Sequence, residues 1–190
     1  LNEKIISNKA IKLGSVSRFI EEKGWKTFLD ALILLKEDKI QFKAVIAGKG
    51  PDEEKILKYI SKHNLGTNLE FLGLVEQSKL VLTYNSLDLY IFPTYREAES
   101  LGLTGLEAMS CGATVVSCNV SGPTTYINHD VNGFLFPPKD VNKLVSIIKK
   151  YYNLSIEEKR KMSDEALKTA KEYESTLVNK KLYRKLIEKF

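Results

Sequence analysis

The chain has 190 residues, of which 43% are hydrophobic and 28% charged, and a formal net charge of +5. That is enough for one well-buried α/β domain and marginal for two, and no apolar run approaches the length of a membrane span. The opening Leu1-Asn2-Glu3-Lys4 lacks the pattern of a signal peptide, and a start on Leu rather than Met is expected of one part of a longer protein.

Strand and helix patterns alternate almost without interruption. Ile11 to Val16 reads as a strand, and Gly24 to Lys36 as an amphipathic helix with Trp25, Phe28, Leu29, Leu32 and Leu35 inward. Phe42 to Ala47 is a second strand, closed by Gly48-Lys49-Gly50-Pro51, after which Asp52 is expected to cap a helix running to about His63. Asn68 to Leu72 is the third strand, Glu76 to Asn85 a helix, and Leu87 to Phe92 the fourth strand. Leu103 to Cys111 is a helix stopped by Gly112, and Thr114 to Cys118 is the fifth strand. Asn132 to Phe136 is a sixth, after which Asp140 caps a helix through Tyr152. Two charged helices follow, at about 155–170 and 173–189. Repeated strand–helix units with short links predict a parallel sheet covered on both faces. The fold class is therefore α/β, a Rossmann-like doubly wound parallel sheet of about six strands with C-terminal helices.

The segment Glu99-Ser-Leu-Gly-Leu-Thr-Gly-Leu-Glu107 carries the most chemistry. It places two carboxylates eight positions apart at a strand–loop–helix junction, one in the loop and one about a turn inside the helix. An open parallel sheet binds its ligands there, outside the carboxyl ends of its strands. A glutamate in an apolar helical run is costly to bury unless something hydrogen-bonds it, and sugar hydroxyls are one such partner. Arg18-Phe-Ile-Glu-Glu-Lys23 follows the first strand and is expected to open the first helix, so both basic groups sit near the same edge beside a helix N-terminus, where anions are favoured. An ordinary loop arginine, and a lysine pairing with Glu21 or Glu22, is the alternative. Gly48-Lys49-Gly50-Pro51 lacks the spacing of a dinucleotide fingerprint or a P-loop and reads as a turn. Gly73 and Leu74, ending the third strand, fit either a base pocket or a structural turn.

Other constellations are thin. Cys111 and Cys118 fit no metal or redox spacing and read as a reduced, buried pair of a cytoplasmic protein. His63 reads as a helix-end surface residue and His129 as part of a turn. The carboxylate pair lacks the neighbours of a dedicated metal site. Much of the positive excess lies on the C-terminal helices and reads as solvated faces, with a lean toward phosphates or an anionic membrane surface. Without aromatic–basic interleaving or a reader motif, nucleic acid is not an expected partner.

Six motifs occur in register: Arg18-x4-Lys23, Ile46-Ala-Gly-Lys-Gly-Pro51, Phe71-Leu-Gly73, Asp88 to Pro93, the Glu99-x7-Glu107 pair with Glu107-Ala-Met-Ser-Cys-Gly112, and Asn132-Gly-Phe-Leu135. In these the chain resembles the C-terminal, donor-binding half of retaining GT-B glycosyltransferases of group 1, glycosyltransferase family 4. The resemblance implies one nucleotide-sugar-binding domain over 1–190, with the acceptor-binding N-terminal domain supplied elsewhere. It implies that Arg18 and Lys23 neutralise the donor diphosphate, Glu99 holds the donor sugar and Glu107 accepts hydrogen bonds from the ribose. The backbone of Ser100, Leu101, Gly102 and Leu103 would approach sugar and phosphates, with Gly73 and Leu74 also in the donor site. A UDP-sugar is the first expectation for the donor, with GDP and ADP open, no metal or other cofactor, and a glycan, lipid or other acceptor in polysaccharide biosynthesis at the cytoplasmic, inner face of the membrane. Three departures from the pattern stand out: Ser-Leu after Glu99 where Gly-Phe is common, Thr114 for a proline, and Thr125 where many members carry glutamate. A non-catalytic nucleotide-binding module and a GT-B sugar-nucleotide epimerase are the alternatives. Intact Arg18, Lys23, Glu99 and Glu107 favour the transferase.

Overall fold

The structure, a computed structural model, describes residues 10–97 and 99–174. Six parallel strands form one sheet in the order β3-β2-β1-β4-β5-β6. These are β1 (Ile11–Val16), β2 (Phe42–Ala47), β3 (Leu69–Gly73), β4 (Leu89–Phe92), β5 (Thr114–Cys118) and β6 (Gly133–Phe136). The helices are α1 (Trp25–Glu37), α2 (Glu53–Lys62), α3 (Gln77–Ser86), α4 (Leu103–Ser110), α5 (Val141–Tyr152) and α6 (Ile156–Glu172). Every residue of β4 and β5 is buried, as a strand covered on both faces requires. One face packs Phe28, Leu32, Ile56, Leu144 and Ile148 from α1, α2 and α5. The other packs Leu80, Tyr84, Leu106, Met109 and Ala166 from α3, α4 and α6. The doubly wound architecture expected from the alternating pattern is the one observed. The expected helix at 173–189 lies, beyond Glu174, outside the described residues.

Local chemistry explains where the boundaries fall. Arg18 to Lys23 does not open the first helix. Glu21–Lys23 forms a separate single turn, and Gly24, with φ at +73°, precedes α1. A Cβ on Gly24 would stand 2.0 Å from the Pro93 carbonyl oxygen, so glycine lets the loop after β1 approach the loop after β4. Asp52 begins α2, yet its carboxylate caps nothing. It accepts instead from Trp25 Nε1 at 3.1 Å and Lys55 Nζ at 2.7 Å, and these bonds, Lys55 foremost, hold it below the ordinary carboxylate range. Asp140 does cap α5, accepting from the Lys143 amide. Ser155 and Glu158 form a reciprocal capping box that starts α6.

Helix α6 is fastened to the turn before β5 and to α5 by polar contacts. Ser163 Oγ donates to the Gly112 carbonyl at 2.7 Å, and Lys159 Nζ donates to the Tyr152 carbonyl at 3.0 Å. Asn132, 5% exposed, donates to the Tyr126 carbonyl and to Thr169 Oγ1 and accepts from the Asn128 amide. These bonds tie the loop after β5 to the last described helix.

The buried phenols and thiol make this fold sensitive to alkali. Burial holds Tyr84, Tyr90, Tyr126 and Tyr151 above their ordinary range near 10.0, and pushes the Cys118 thiol from 9.0 up to about 12. Below about pH 7.5 these five groups keep their protons whether the chain is folded or not. Above it the unfolded chain releases protons that the folded chain retains, so each group costs up to about 1.4 kcal/mol of stability per pH unit. Lys159, lowered by desolvation, acts in the opposite direction, but it is one group against five. Urea unfolding is expected to show a midpoint that falls steadily from pH 8.5 to pH 10.5, and Tyr151→Phe should flatten that fall. A midpoint unchanged over this range would contradict the burial of these groups.

Candidate functional site

The strand order reverses direction between β1 and β4, and a crevice opens at such a switch point beyond the strand ends. The loop after β1 brings Arg18 and Lys23 to this edge, and the loop after β4 brings Glu99, Ser100 and Gly102. Helix α4, starting at Leu103, carries Glu107 one turn further in, and Gly73 and Leu74 end β3 at the same edge.

Lys23 and Glu99 form an ion pair across the switch point, with side chains 15% and 12% exposed. The lysine therefore pairs neither with Glu21 nor with Glu22. Thr94 Oγ1 lies 3.4 Å from the same Glu99 oxygen, and the Lys23 ammonium stands 5.6 Å from the Phe92 ring centroid. The Glu99 loop is braced from behind. Ser121 Oγ donates to the Glu97 carbonyl at 3.0 Å, and a Cβ on Gly122 would meet the Glu99 carbonyl oxygen at 2.7 Å. Glycine at 122 thus allows the loop after β5 to lie directly against the backbone that presents Glu99.

Glu107, half-buried, meets two donors. Gln77 Nε2 donates to Oε1 at 2.9 Å and Tyr84 Oη to Oε2 at 3.0 Å, both from α3. Sequence reasoning missed Gln77, Tyr84 and Thr94. The seven-residue spacing of Gln77 and Tyr84 places them on one face of a helix, which was a usable signal, but nothing in the sequence named Glu107 as the residue they meet.

The remaining expected residues are presented differently. Arg18 is exposed, and its side chain makes no hydrogen bond or ion pair among the described residues. Gly73 has φ at +61°, its carbonyl accepts from the Gly48 amide at 2.7 Å, and Leu74 beside it is 73% exposed. Gly102, with φ at +72°, starts α4, and Leu103 is 65% exposed. Ser100 is exposed and Leu101 half-buried. The lysine–glutamate pair and the Glu107 trio form two separate clusters along one sheet edge. A cleft of about 500 Å³ opens beside them, lined by Trp25, Asp52, Tyr95 and Lys139 among others, and excludes Arg18, Glu99 and Glu107. Cys118 is buried but Cys111 only half-buried, and no disulfide joins them. His129 forms an isolated parallel bridge with Gly133 just before the turn at 130–132, its Nδ1 accepting from the Leu135 amide at 3.0 Å. No group of three or more His, Cys, Asp or Glu gathers among the described residues in a way that could hold a metal ion, and no helix there is long and apolar enough to cross a membrane.

Comparison with known proteins places this edge in context. The family model described as "Glycosyl transferases group 1" matches residues 2–169. Protein CapJ of Staphylococcus aureus is 30% identical, over 97% of this chain and 47% of its own length. The amylovoran biosynthesis glycosyltransferase AmsK of Erwinia amylovora is 28% identical, over 74% of this chain and 36% of its own. The chain thus spans about half or less of the curated relatives it matches. Among solved structures, Anabaena Alr3699/HepE in complex with UDP and glucose superposes with a TM-score of 0.82 at 23% identity, covering 94% of this chain and 48% of that one. The C-terminal domain of a group 1 family glycosyl transferase (LpcC) from Francisella tularensis superposes with a TM-score of 0.74 at 21% identity, covering 85% and 84%. These two share the fold.

The Lys23–Glu99 pair yields a measurable coupling. Removing one partner leaves a largely buried charge uncompensated, whereas removing both does not. A double-mutant cycle of Lys23→Met and Glu99→Gln, read by urea unfolding without ligand, is expected to give a coupling of about 1–2 kcal/mol. Strictly additive effects would mean that the pair contributes nothing to holding the two loops together.

Proposed function

The chain belongs to the group 1 glycosyl transferases, and from that premise we propose that it is the half that binds the nucleotide-sugar donor for a retaining glycosyl transfer. The observation that carries this reading is the ion pair between Lys23 and Glu99 across the switch point. A cation suited to phosphate and a carboxylate suited to sugar hydroxyls stand side by side, where a glycosyl–phosphate bond needs both. Arg18 and Lys23 neutralise the diphosphate, Arg18 through a bidentate fork. Glu107 takes the ribose hydroxyls, and Glu99 takes the donor sugar once the diphosphate draws Lys23 away from it. The backbone of Ser100 to Leu103, including the free amides at the start of α4, adds to the anion site, while Gly73 and the exposed Leu74 flank the base. Charge developing on the leaving diphosphate is met by fixed donors rather than by a metal.

The names of relatives guide the choice of ligand. HepE was solved with UDP and glucose, so a UDP-sugar is the first donor to test, with GDP and ADP behind it. AmsK, an amylovoran biosynthesis glycosyltransferase, and an O-antigen chain mannosyltransferase among the relatives support polysaccharide biosynthesis as the proposed setting. Because those relatives are at least about twice as long as the matched region, transfer is proposed to require an acceptor-binding half in addition to these residues.

Two measurements test this assignment. Calorimetry with UDP, with and without magnesium, is expected to give metal-independent binding on the order of 10 μM to 1 mM, weak because one side of the ligand stays wet. Absence of binding to UDP, GDP and ADP at several millimolar, or strict dependence on magnesium, would count against the site. Single variants then separate the roles. Arg18→Ala should weaken UDP and inorganic pyrophosphate alike, by about 1.5–3 kcal/mol, whereas Glu107→Ala should weaken UDP and leave pyrophosphate unchanged. A folded Glu107→Ala protein with undiminished UDP affinity would make that carboxylate purely structural. Incubation of the 190-residue chain alone with donor and acceptor should give no transfer, since both substrates must be held in line, and robust turnover would overturn the division into halves.

A further inference from the structure

Glu107 meets its two partners on different terms. Gln77 is exposed, so its bond competes with water, while Tyr84 is 1% exposed and delivers its hydroxyl from within the core. The Tyr84 ring packs edge-on against Tyr90, with centroids 5.6 Å apart and planes at 83°. Tyr90 in turn donates its hydroxyl to the Val16 carbonyl at 2.8 Å, at the end of β1. The aim of the Tyr84 hydroxyl is therefore set by close packing rather than by a free rotamer. Burial also holds that phenol above its ordinary range, so it stays a donor at any physiological pH.

An ionised carboxylate only accepts, with about two lone-pair sites on each oxygen. Tyr84 occupies one site on Oε2 and Gln77 one on Oε1, which leaves one on each for a ligand. We infer that Tyr84 is a positioning residue that locks the Glu107 carboxylate with one open acceptor site per oxygen, matched to the two adjacent hydroxyls of a ribose, and so makes the site selective for ribonucleotides over 2′-deoxyribonucleotides. This rests on the ribose role proposed for Glu107. Without the Tyr84 hydroxyl the carboxylate regains rotational freedom, and its second acceptor site is no longer held for the 2′-hydroxyl.

The test is calorimetry with UDP, 2′-deoxy-UDP and inorganic pyrophosphate on the wild-type chain, Tyr84→Phe and Gln77→Ala. Wild type is expected to prefer UDP over 2′-deoxy-UDP. Tyr84→Phe, which keeps the buried ring, should lower UDP affinity roughly tenfold and collapse that preference, with pyrophosphate affinity unchanged. Gln77→Ala, on an exposed position where folding is not at risk, should move the same preference in the same direction by about twofold to threefold. A preference that survives both substitutions overturns the inference while leaving Glu107 as the ribose contact. A wild-type chain that binds UDP and 2′-deoxy-UDP equally overturns the ribose reading of Glu107, and this inference with it.

Discussion

A sheet whose central strands are buried on both faces has no polar face to offer, and that constraint shapes everything else in this protein. Every residue of β4 and β5 is buried, so charged and hydrogen-bonding chemistry is driven to the ends of the strands. At the carboxyl ends the loops after β1 and β4 meet because those strands are neighbours whose connections leave in opposite directions. Gly24 tightens the meeting by removing the side chain that would collide with Pro93. The site is thus a by-product of how a parallel sheet is wound, refined by a few residues.

Electrostatically, the edge uses two arrangements for its two glutamates. Glu99 is compensated by a cation, an arrangement that an incoming anion can rearrange because Lys23 remains partly solvated. Glu107 accepts from neutral donors on a neighbouring helix, with no cation paired to it among the described residues. Arg18, exposed and without a partner of its own among the described residues, adds an unpaired cation to the same edge.

How much of this was legible in the sequence depended on the range of the interaction. The six strands and the first helices follow from periodicity, because burial on one or two faces writes itself into neighbouring residues. The edge position of Arg18, Lys23, Glu99 and Glu107 followed from their places after strands. Partnerships did not. Asp52 looks like a helix cap and serves Trp25 instead, and Lys23 has two acidic neighbours in sequence but pairs with a third carboxylate 76 positions away. Tyr84 reads as one more apolar helix position, and its hydroxyl acquires meaning only when α3 lies beside α4.

That separation of 76 residues also bears on how the molecule comes into being. Pairing of β1 with β4, and of Lys12 with Asp88 beneath it, closes a long loop, a step whose entropic cost precedes its reward and which makes such topologies slow to form. During synthesis the early strand, with Arg18 and Lys23, leaves the ribosome well before the segment that completes it. Three strand–helix units precede β4 in the chain, and one side of β1 stays unpaired until β4 arrives. The juxtaposition of Lys23 with Glu99 is consequently a late property of the chain, formed only when β4 has paired with β1.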